Sequence, residues 1–361
     1  MRLIVTGGGT GGHVLPALEV ALLARERGHD IHYIGSFRGQ EAKACASANV
    51  PYAAVNAVPL GRLTTPGGLL SAIRLLNASR HAGQLLRQSK PNIVFSTGGY
   101  SASPVLFAAK RLRLPVVIHE QNTVAGKTHK LAAKFAAKKC IVFDQTKESL
   151  GADCVRTGMP IRRQLTAAAA SKTFSERGIC TLALGGSQGA AALNEAVFSA
   201  AMHINGQENS WVHISGEKLY ESAAKSADRL GAPPSYKVRP YLEAAEMAGA
   251  LARADVAIAR AGAGVICELA LFGIPMILIP YPTAFANHQY HNAKVIEELD
   301  GGAILEQTQL TPESLEANWR TWSTDSERRR KATSALKAWS IPDATERVLA
   351  AIEQTHDAHK S

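Results

Sequence analysis

Four times in this chain a short apolar run stops at a cluster of glycine and small residues and then turns into a helical pattern. Leu3-Ile4-Val5-Thr6 leads into Gly7-Gly8-Gly9-Thr10-Gly11-Gly12-His13, and Thr181-Leu182-Ala183-Leu184 leads into Gly185-Gly186-Ser187-Gln188-Gly189-Ala190. Ser96-Thr97 leads into Gly98-Gly99-Tyr100-Ser101, and Val256-Ala257-Ile258-Ala259 leads into Arg260-Ala261-Gly262-Ala263-Gly264. A strand that breaks at glycine and re-enters as a helix opens a βαβ unit, and such units build parallel sheets. Glycines permit positive φ and close backbone approach. The helix that follows offers unpaired N–H groups and the positive end of its dipole, so such a turn can hold a phosphate or a sugar hydroxyl. None of the turns matches G-x-x-x-x-G-K-[ST], which disfavours a P-loop nucleotidase.

Other strand candidates fall at Ile31–Ile34, Ile93–Ser96, Val116–His119 and Cys140–Phe143, then at Trp211–Ser215, Lys237–Arg239 and Met276–Ile279. Helical patterns between them, such as Pro16–Arg27 and Ala190–Met202, complete an α/β succession. Glycine and proline punctuate it at Thr157-Gly158-Met159-Pro160. The pattern predicts two Rossmann-like domains, residues 1–160 and 161–341.

At 361 residues with 46% hydrophobic and 19% charged residues, the chain is long enough for two cores. No stretch of apolar residues is long enough and free enough of charge to span a bilayer. Met1-Arg2 runs directly into the first strand and glycine cluster, so no cleavable leader is expected. Five scattered cysteines, with no pair at two-residue spacing, suit a reducing, cytoplasmic setting better than a disulfide or zinc scaffold. The net charge of +10 is unevenly divided. Residues 1–160 carry 20 Lys+Arg against 8 Asp+Glu, whereas residues 161–361 carry 20 against 22. A basic half of this kind is either a solvated surface or the face that meets an anionic partner.

Several polar residues lie where a parallel sheet presents its carboxyl edge, the place where ligands bind in open α/β sheets. His13 ends the first glycine turn. A structural role explains a lone histidine there, but its place beside a candidate phosphate site makes it a candidate general base. His119-Glu120-Gln121-Asn122 follows the strand Val116–Ile118, and Glu120 is the alternative base. Glu268 lies one helical turn beyond Gly264; its carboxylate is either a solvated helix residue or an acceptor for the two hydroxyls of a ribose. Asn287-His288-Gln289-Tyr290-His291-Asn292 adds amide and imidazole groups near the same edge. No Asp-x-Asp pair occurs, so the usual carboxylate clamp for a metal on a sugar nucleotide is missing. Helix N-termini and a base such as Arg162 would then neutralise a departing nucleotide. Leu60–Leu86 interleaves Leu60, Leu63, Leu69, Leu70, Ile73, Leu75 and Leu76 with Arg62, Arg74, Arg80 and Arg87, which suits either an amphipathic crossover helix or an anionic membrane surface.

Taken in order, Gly7–His13, Gly98-Gly99-Tyr100, His119–Asn122, Gly185–Ala190, Arg260–Ala263 and Pro342-Asp343-Ala344-Thr345-Glu346-Arg347 closely resemble the MurG family of bacterial peptidoglycan synthesis over essentially the whole chain. The resemblance implies a GT-B fold, with two Rossmann-like domains facing across a cleft. The lipid acceptor would bind the first domain and the sugar nucleotide mainly the second. It implies inverting transfer of GlcNAc from UDP-GlcNAc to the 4-hydroxyl of the muramoyl sugar of lipid I, giving lipid II. Donor positions carry over to Thr10, Gly11, Gly12, Asn122, Arg162 and Ser187. The uridine and ribose pocket carries over to Leu242, Gly262, Ala263, Gly264, Val265, Ile266, Cys267 and Glu268, with Gln289 nearby. At His288 some members have glutamine, and the segment Tyr241–Met247 is slightly longer than in some relatives. The resemblance also implies that the last helix, after Pro342, returns to the first domain. No metal is strictly required. The partners it implies are UDP-GlcNAc, lipid I, the anionic inner face of the cell membrane and other cell-wall synthesis proteins, with no nucleic acid.

Other readings fit less well. Another GT-B enzyme with a different lipid or small-molecule acceptor should lose the Gly7–His13 and His119–Asn122 patterns. A nicotinamide-dependent dehydrogenase needs an acid at the end of the second strand, where this chain has Ile34-Gly35-Ser36. A nucleic-acid binder should show an aromatic-rich strand or a recognition module.

Overall fold

The apolar runs form strands where the pattern put them, with ends moved by one or two residues. The computed structural model describes residues 1–37, 39–59, 66–170, 172, 178–186, 190–204, 209–229 and 231–360, the side chains of 66 and 69 excepted. Strands β1 (Arg2–Gly7), β2 (Asp30–Ser36), β3 (Tyr52–Val55), β4 (Ile93–Gly98), β5 (Val116–Glu120), β6 (Lys138–Ile141) and β7 (Val155–Arg156) form one parallel sheet. A second parallel sheet holds β8 (Cys180–Leu184), β9 (Ser210–Ile214), β10 (Tyr236–Arg239), β11 (Val256–Ala259), β12 (Met276–Leu278) and β13 (Gly302–Ile304). Three strands have no counterpart in the sequence pattern, for a local reason. β3 is a half-buried run with two alanines, β7 has two residues, and β13 begins on glycine. None of them carries enough β-branched or alternating character to announce itself.

Contacts divide the chain into two units, Met1–Ile161 with Asp343–Ser361, and Arg162–Pro342. Within each unit the strand order reverses beside the first strand. The first sheet runs β3-β2-β1-β4-β5-β6-β7 and the second β10-β9-β8-β11-β12-β13. Crossovers leave in opposite directions from β1 and β4, and again from β8 and β11, so a crevice opens at their carboxyl ends. This places the glycine turns in pairs: Gly7–Gly12 beside Gly98-Gly99, and Gly185-Gly186 beside Arg260–Gly264.

The first helix spans Gly11–Glu26, five residues ahead of the expected start at Pro16. Its first turn closes because the N–H groups of His13 and Val14 both donate to Thr10 O, at 3.1 and 3.2 Å. Pro16 therefore removes one bond inside the helix without preventing its start. One face of the first sheet packs Val14, Ala17, Leu18 and Ala21 of this helix together with Val348, Leu349 and Ile352 of the last helix, Ala344–Ala358. Those last three side chains are fully buried, each burial stabilising by roughly 1.5–3 kcal/mol. Glu353 adds contacts from Arg27 Nη1 at 3.1 Å and His29 Nε2 at 2.8 Å.

The opposite face is covered by helices Pro66–Ser89 and Ser103–Arg111. On Pro66–Ser89, Ala78, Ala82 and Leu86 are core residues, while Leu70, Ile73 and Leu76 are about half exposed beside exposed Arg74, Arg80 and Arg87. A crossover helix needs only its sheet-facing stripe to be apolar. This one has a second apolar stripe facing away. The Leu60 and Leu63 part of the same segment lies outside the described residues. Among the described residues, no helix is long and apolar enough to cross a membrane.

Candidate active site

In the first unit the site is built on the ends of β1, β4 and β5. Gly8 N–H donates to Gly98 O at 3.1 Å, joining the two glycine turns. The joint tolerates no side chain. A Cβ at Gly7 would overlap Thr97 Oγ1, and one at Gly99, whose φ is +80°, would overlap Gly8 O. Thr97 Oγ1 in turn donates to His13 O at 2.8 Å, so the first turn of helix Gly11–Glu26 is fastened to β4. Thr10 and Gly12 are exposed, Gly11 is half-buried, and no side chain caps this helix. The N–H groups of Gly11 and Gly12 therefore remain available to an oxygen ligand.

The partners of His119 and Gln121 fix the tautomer of His13. The fully buried His119 has Nε2 at 2.8 Å from Gly158 O, so Nε2 carries the proton and Nδ1 is an acceptor. Gln121 Nε2 donates to His119 Nδ1 at 3.0 Å and to His119 O at 2.6 Å. That orientation turns Gln121 Oε1 toward His13 Nδ1, at 2.8 Å, and Thr97 O lies at the same distance. Two acceptors on Nδ1 require a proton there, which leaves a lone pair on His13 Nε2. Burial lowers the basicity of His13, the Glu120 charge only partly opposing it, and burial lowers His119 to about 4. Both rings are neutral at pH 7, and half-buried His13 is the one with a free basic nitrogen.

Glu120 has a different setting. It is buried, with Oε2 at 2.9 Å from His129 Nδ1 and accepting from Gly126 N–H at 3.2 Å. Oε1 accepts from Asn122 N–H at 3.1 Å and from Asn122 Nδ2 at 3.3 Å. Burial alone would raise its pKa, but the His129 hydrogen bond and charge outweigh it and hold the carboxyl at about 2. Asn122, a donor position by resemblance, thus has its amide tied to Glu120 and its carbonyl bonded by Thr146 Oγ1 at 2.8 Å. Two buried residues here had no sequence signal. His129 is a lone histidine among lysines, and Glu41 accepts from Gly9 N–H at 3.1 Å with no other partner on its second oxygen.

In the second unit the turn after β11 enters helix Ala263–Leu271 through Gly262, again without a side-chain cap. A Cβ at Gly262 or Gly264 would meet nothing within 4 Å, so the turn has room for a ligand against its backbone. Ala263, Ile266 and Cys267 are buried, Gly262, Gly264 and Val265 half-buried. Glu268, 19% exposed at its side chain, pairs with Arg162 Nη2 at 3.5 Å. Burial raises the Glu268 pKa, and the Arg162 charge works against that rise. Arg162 Nε is buried without a partner, an orphan donor beside the carboxylate. Leu242 is buried in the loop after β10. Gln289 Oε1 accepts from Tyr281 N–H at 2.9 Å, and His288 Nδ1 donates to Phe285 O at 2.8 Å. Asn292, fully buried, donates to Ala261 O at 3.2 Å and so ties its helix to the glycine turn. Ser187, with Gln188 and Gly189, lies outside the described residues. Among the described residues, no group of three or more His, Cys, Asp or Glu side chains could hold a metal ion.

Residues 3–141 match the glycosyltransferase family 28 N-terminal domain, and residues 181–348 match the glycosyltransferase family 28 C-terminal domain. Two doubly wound parallel sheets with glycine turns at their switch points, together with these matches, define a glycosyltransferase of the GT-B class. A relative from Bacillus licheniformis is 32% identical over 96% of this chain and 97% of its own length, and one from Bacillus subtilis is 30% identical over 98% and 99%. Both are called UDP-N-acetylglucosamine--N-acetylmuramyl-(pentapeptide) pyrophosphoryl-undecaprenol N-acetylglucosamine transferase. The crystal structure of Acinetobacter baumannii MurG superposes with a TM-score of 0.79 at 27% identity, covering 98% of this chain and 99% of that one. The calicheamicin glycosyltransferase, at a TM-score of 0.73 and 16% identity over all of both chains, shares the fold. The chain belongs to the MurG family.

Proposed function

We propose that this chain transfers GlcNAc from UDP-GlcNAc to the 4-hydroxyl of the muramoyl sugar of undecaprenyl-diphospho-MurNAc-pentapeptide, lipid I, giving lipid II. The observation that carries the mechanism is the lone pair on His13 Nε2, held there by Gly158, His119, Gln121 and Thr97. In this reading the acceptor hydroxyl gives its proton to His13 Nε2 as its oxygen attacks the anomeric carbon. The bond to the UDP oxygen breaks on the opposite side in the same step. One displacement converts the α-linked donor into a β-linked product. Glu120 is a positioning residue instead: a carboxyl held at about 2 and bonded on both oxygens has little basicity to offer.

The second unit supplies the donor pocket. Glu268 accepts from the ribose hydroxyls and Arg162 opposes the rise that burial gives its pKa, while Arg162 Nε and the uncapped N-terminus at Gly262 take the charge developing on the diphosphate. Ser187, Leu242, His288 and Gln289 complete the set in that unit, and Thr10, Gly11, Gly12 and Asn122 are the donor-binding positions of the first unit. No divalent metal is required, because the neutralising charge comes from the chain itself. The second apolar stripe of Pro66–Ser89, flanked by arginines in a basic half, lies on the anionic cytoplasmic face of the cell membrane, where the lipid acceptor is found. Contacts with other cell-wall synthesis proteins belong to the same reading.

The test is UDP release from UDP-GlcNAc with a lipid I analogue as acceptor, in buffer containing excess chelator. Release that depends on the analogue and falls by roughly 10²–10⁴-fold in His13→Ala is expected. A His13→Ala protein that keeps most of its kcat, or activity restored only by added metal, would remove the corresponding part of the reading.

A further inference from the structure

The loop between β12 and helix His288–Glu298 holds two large aromatic side chains in the open, Tyr281 at 48% and Phe285 at 47% exposure. Exposed aromatics are ordinary on a surface, but this one is immobilised. The Arg260 guanidinium lies over the Tyr281 ring, 5.6 Å from its centre. That guanidinium is itself fixed: Nη1 donates to Ile279 O at 3.2 Å and to Pro280 O at 3.3 Å, and Nη2 donates to Gln307 Oε1 at 2.6 Å. The Tyr281 backbone N–H is held by Gln289 Oε1 at 2.9 Å. Further along the loop, Ala286 and Asn287 sit at φ of 48° and 54°, the left-handed region, where each non-glycine residue costs roughly 1–2 kcal/mol. Such strain persists where the surroundings over-determine the backbone.

Arg260 is also the first residue of the glycine turn that runs to Gly264, so the ring is anchored on the donor turn itself. Because Gln289 accepts from Tyr281 with its carbonyl oxygen, its amide N–H₂ points away from that bond with two donors available. The juxtaposition is therefore a rigid aromatic ring, one side resting on a cation, beside two amide donors at the mouth of the turn. A pyranose is the matching ligand: its C–H face packs on an aromatic plane, while its rim of hydroxyls takes amide donors.

We propose that Tyr281 is the stacking platform for the transferred sugar of the nucleotide donor, and that it contributes the preference for a sugar nucleotide over the bare nucleotide. This rests on the donor pocket assigned above. Titration calorimetry on the full chain tests it, with UDP and UDP-GlcNAc as the two probes and Tyr281→Phe, Tyr281→Ala and Tyr281→Leu as variants. The Kd ratio of UDP-GlcNAc to UDP should rise about tenfold in Tyr281→Ala and Tyr281→Leu and stay within about twofold of wild type in Tyr281→Phe. UDP affinity itself should change little in all three. Parallel loss of both affinities would make Tyr281 a prop for the turn, and an unchanged ratio in the alanine and leucine variants would remove it from the sugar site; either result overturns the proposal. Wild-type chain that binds neither probe would instead refute the donor pocket.

Discussion

Replacing Gln121 by methionine tests the tautomer relay most directly, because methionine keeps the length of the side chain and removes only its amide. In the wild type His13 Nδ1 has two acceptors, Gln121 Oε1 and Thr97 O, each at 2.8 Å. Gln121→Met leaves Thr97 O in place, so the Nδ1–H tautomer still prevails but loses one hydrogen bond. That bond is worth roughly 0.5–1.5 kcal/mol, and leaving His119 Nδ1 unpaired adds a buried unsatisfied acceptor at roughly 1–3 kcal/mol. The looser imidazole should lower kcat by about tenfold. The Gln121 hydrogen bond stabilises the imidazolium more than the neutral ring and so raises the His13 pKa against the lowering by burial. Without it the folded pKa drops further, and the acid limb of kcat should move to lower pH. The assay is kcat against pH at saturating donor and acceptor, with the donor KM followed in parallel. A plateau that falls while the acid limb stays put, or moves to higher pH, would refute the relay and leave Gln121 a packing residue.

Three further outcomes are expected. Glu268→Ala should weaken UDP-GlcNAc binding by roughly 1.5–3 kcal/mol, the range for hydrogen bonds to a charged group, and unchanged UDP affinity by calorimetry would reject the ribose assignment. Leu70→Ser, Ile73→Ser and Leu76→Ser together should cut binding to anionic liposomes while leaving the thermal midpoint and donor affinity in place, since all three side chains are about half exposed; unfolding would show that they belong to the core. His119 and His213, both lowered to about 4 by burial, are neutral in the folded chain yet protonate near pH 6.5 when unfolded. The unfolded state therefore binds more protons between these values. Each histidine should withdraw about 3 kcal/mol of stability as pH falls from 6.5 toward 4, and a flat denaturation midpoint over that range would contradict their burial.

The sequence by itself determined the class of fold and the edge at which chemistry could occur. Alternation of apolar runs with helical patterns depends on residues a few positions apart, and a glycine turn announces itself because positive φ and close approach are properties of single residues. His13, the His119–Asn122 run and the Arg260–Glu268 segment could therefore be named in advance. Tertiary structure alone decided how these pieces meet. The switch points at β1/β4 and β8/β11 follow from strand order, which no local propensity encodes. The partners that fix His13 lie 84 and 108 residues away, and the histidine that claims Glu120 stands outside any motif. Arg162, read from sequence as a charge for a departing nucleotide, sits against half-buried Glu268, a pairing that appears only when the two are side by side. Side-chain hydrogen bonds and charges act over 3–4 Å of space. Which residues come within that reach is set by the packing of whole elements rather than by their neighbours along the chain.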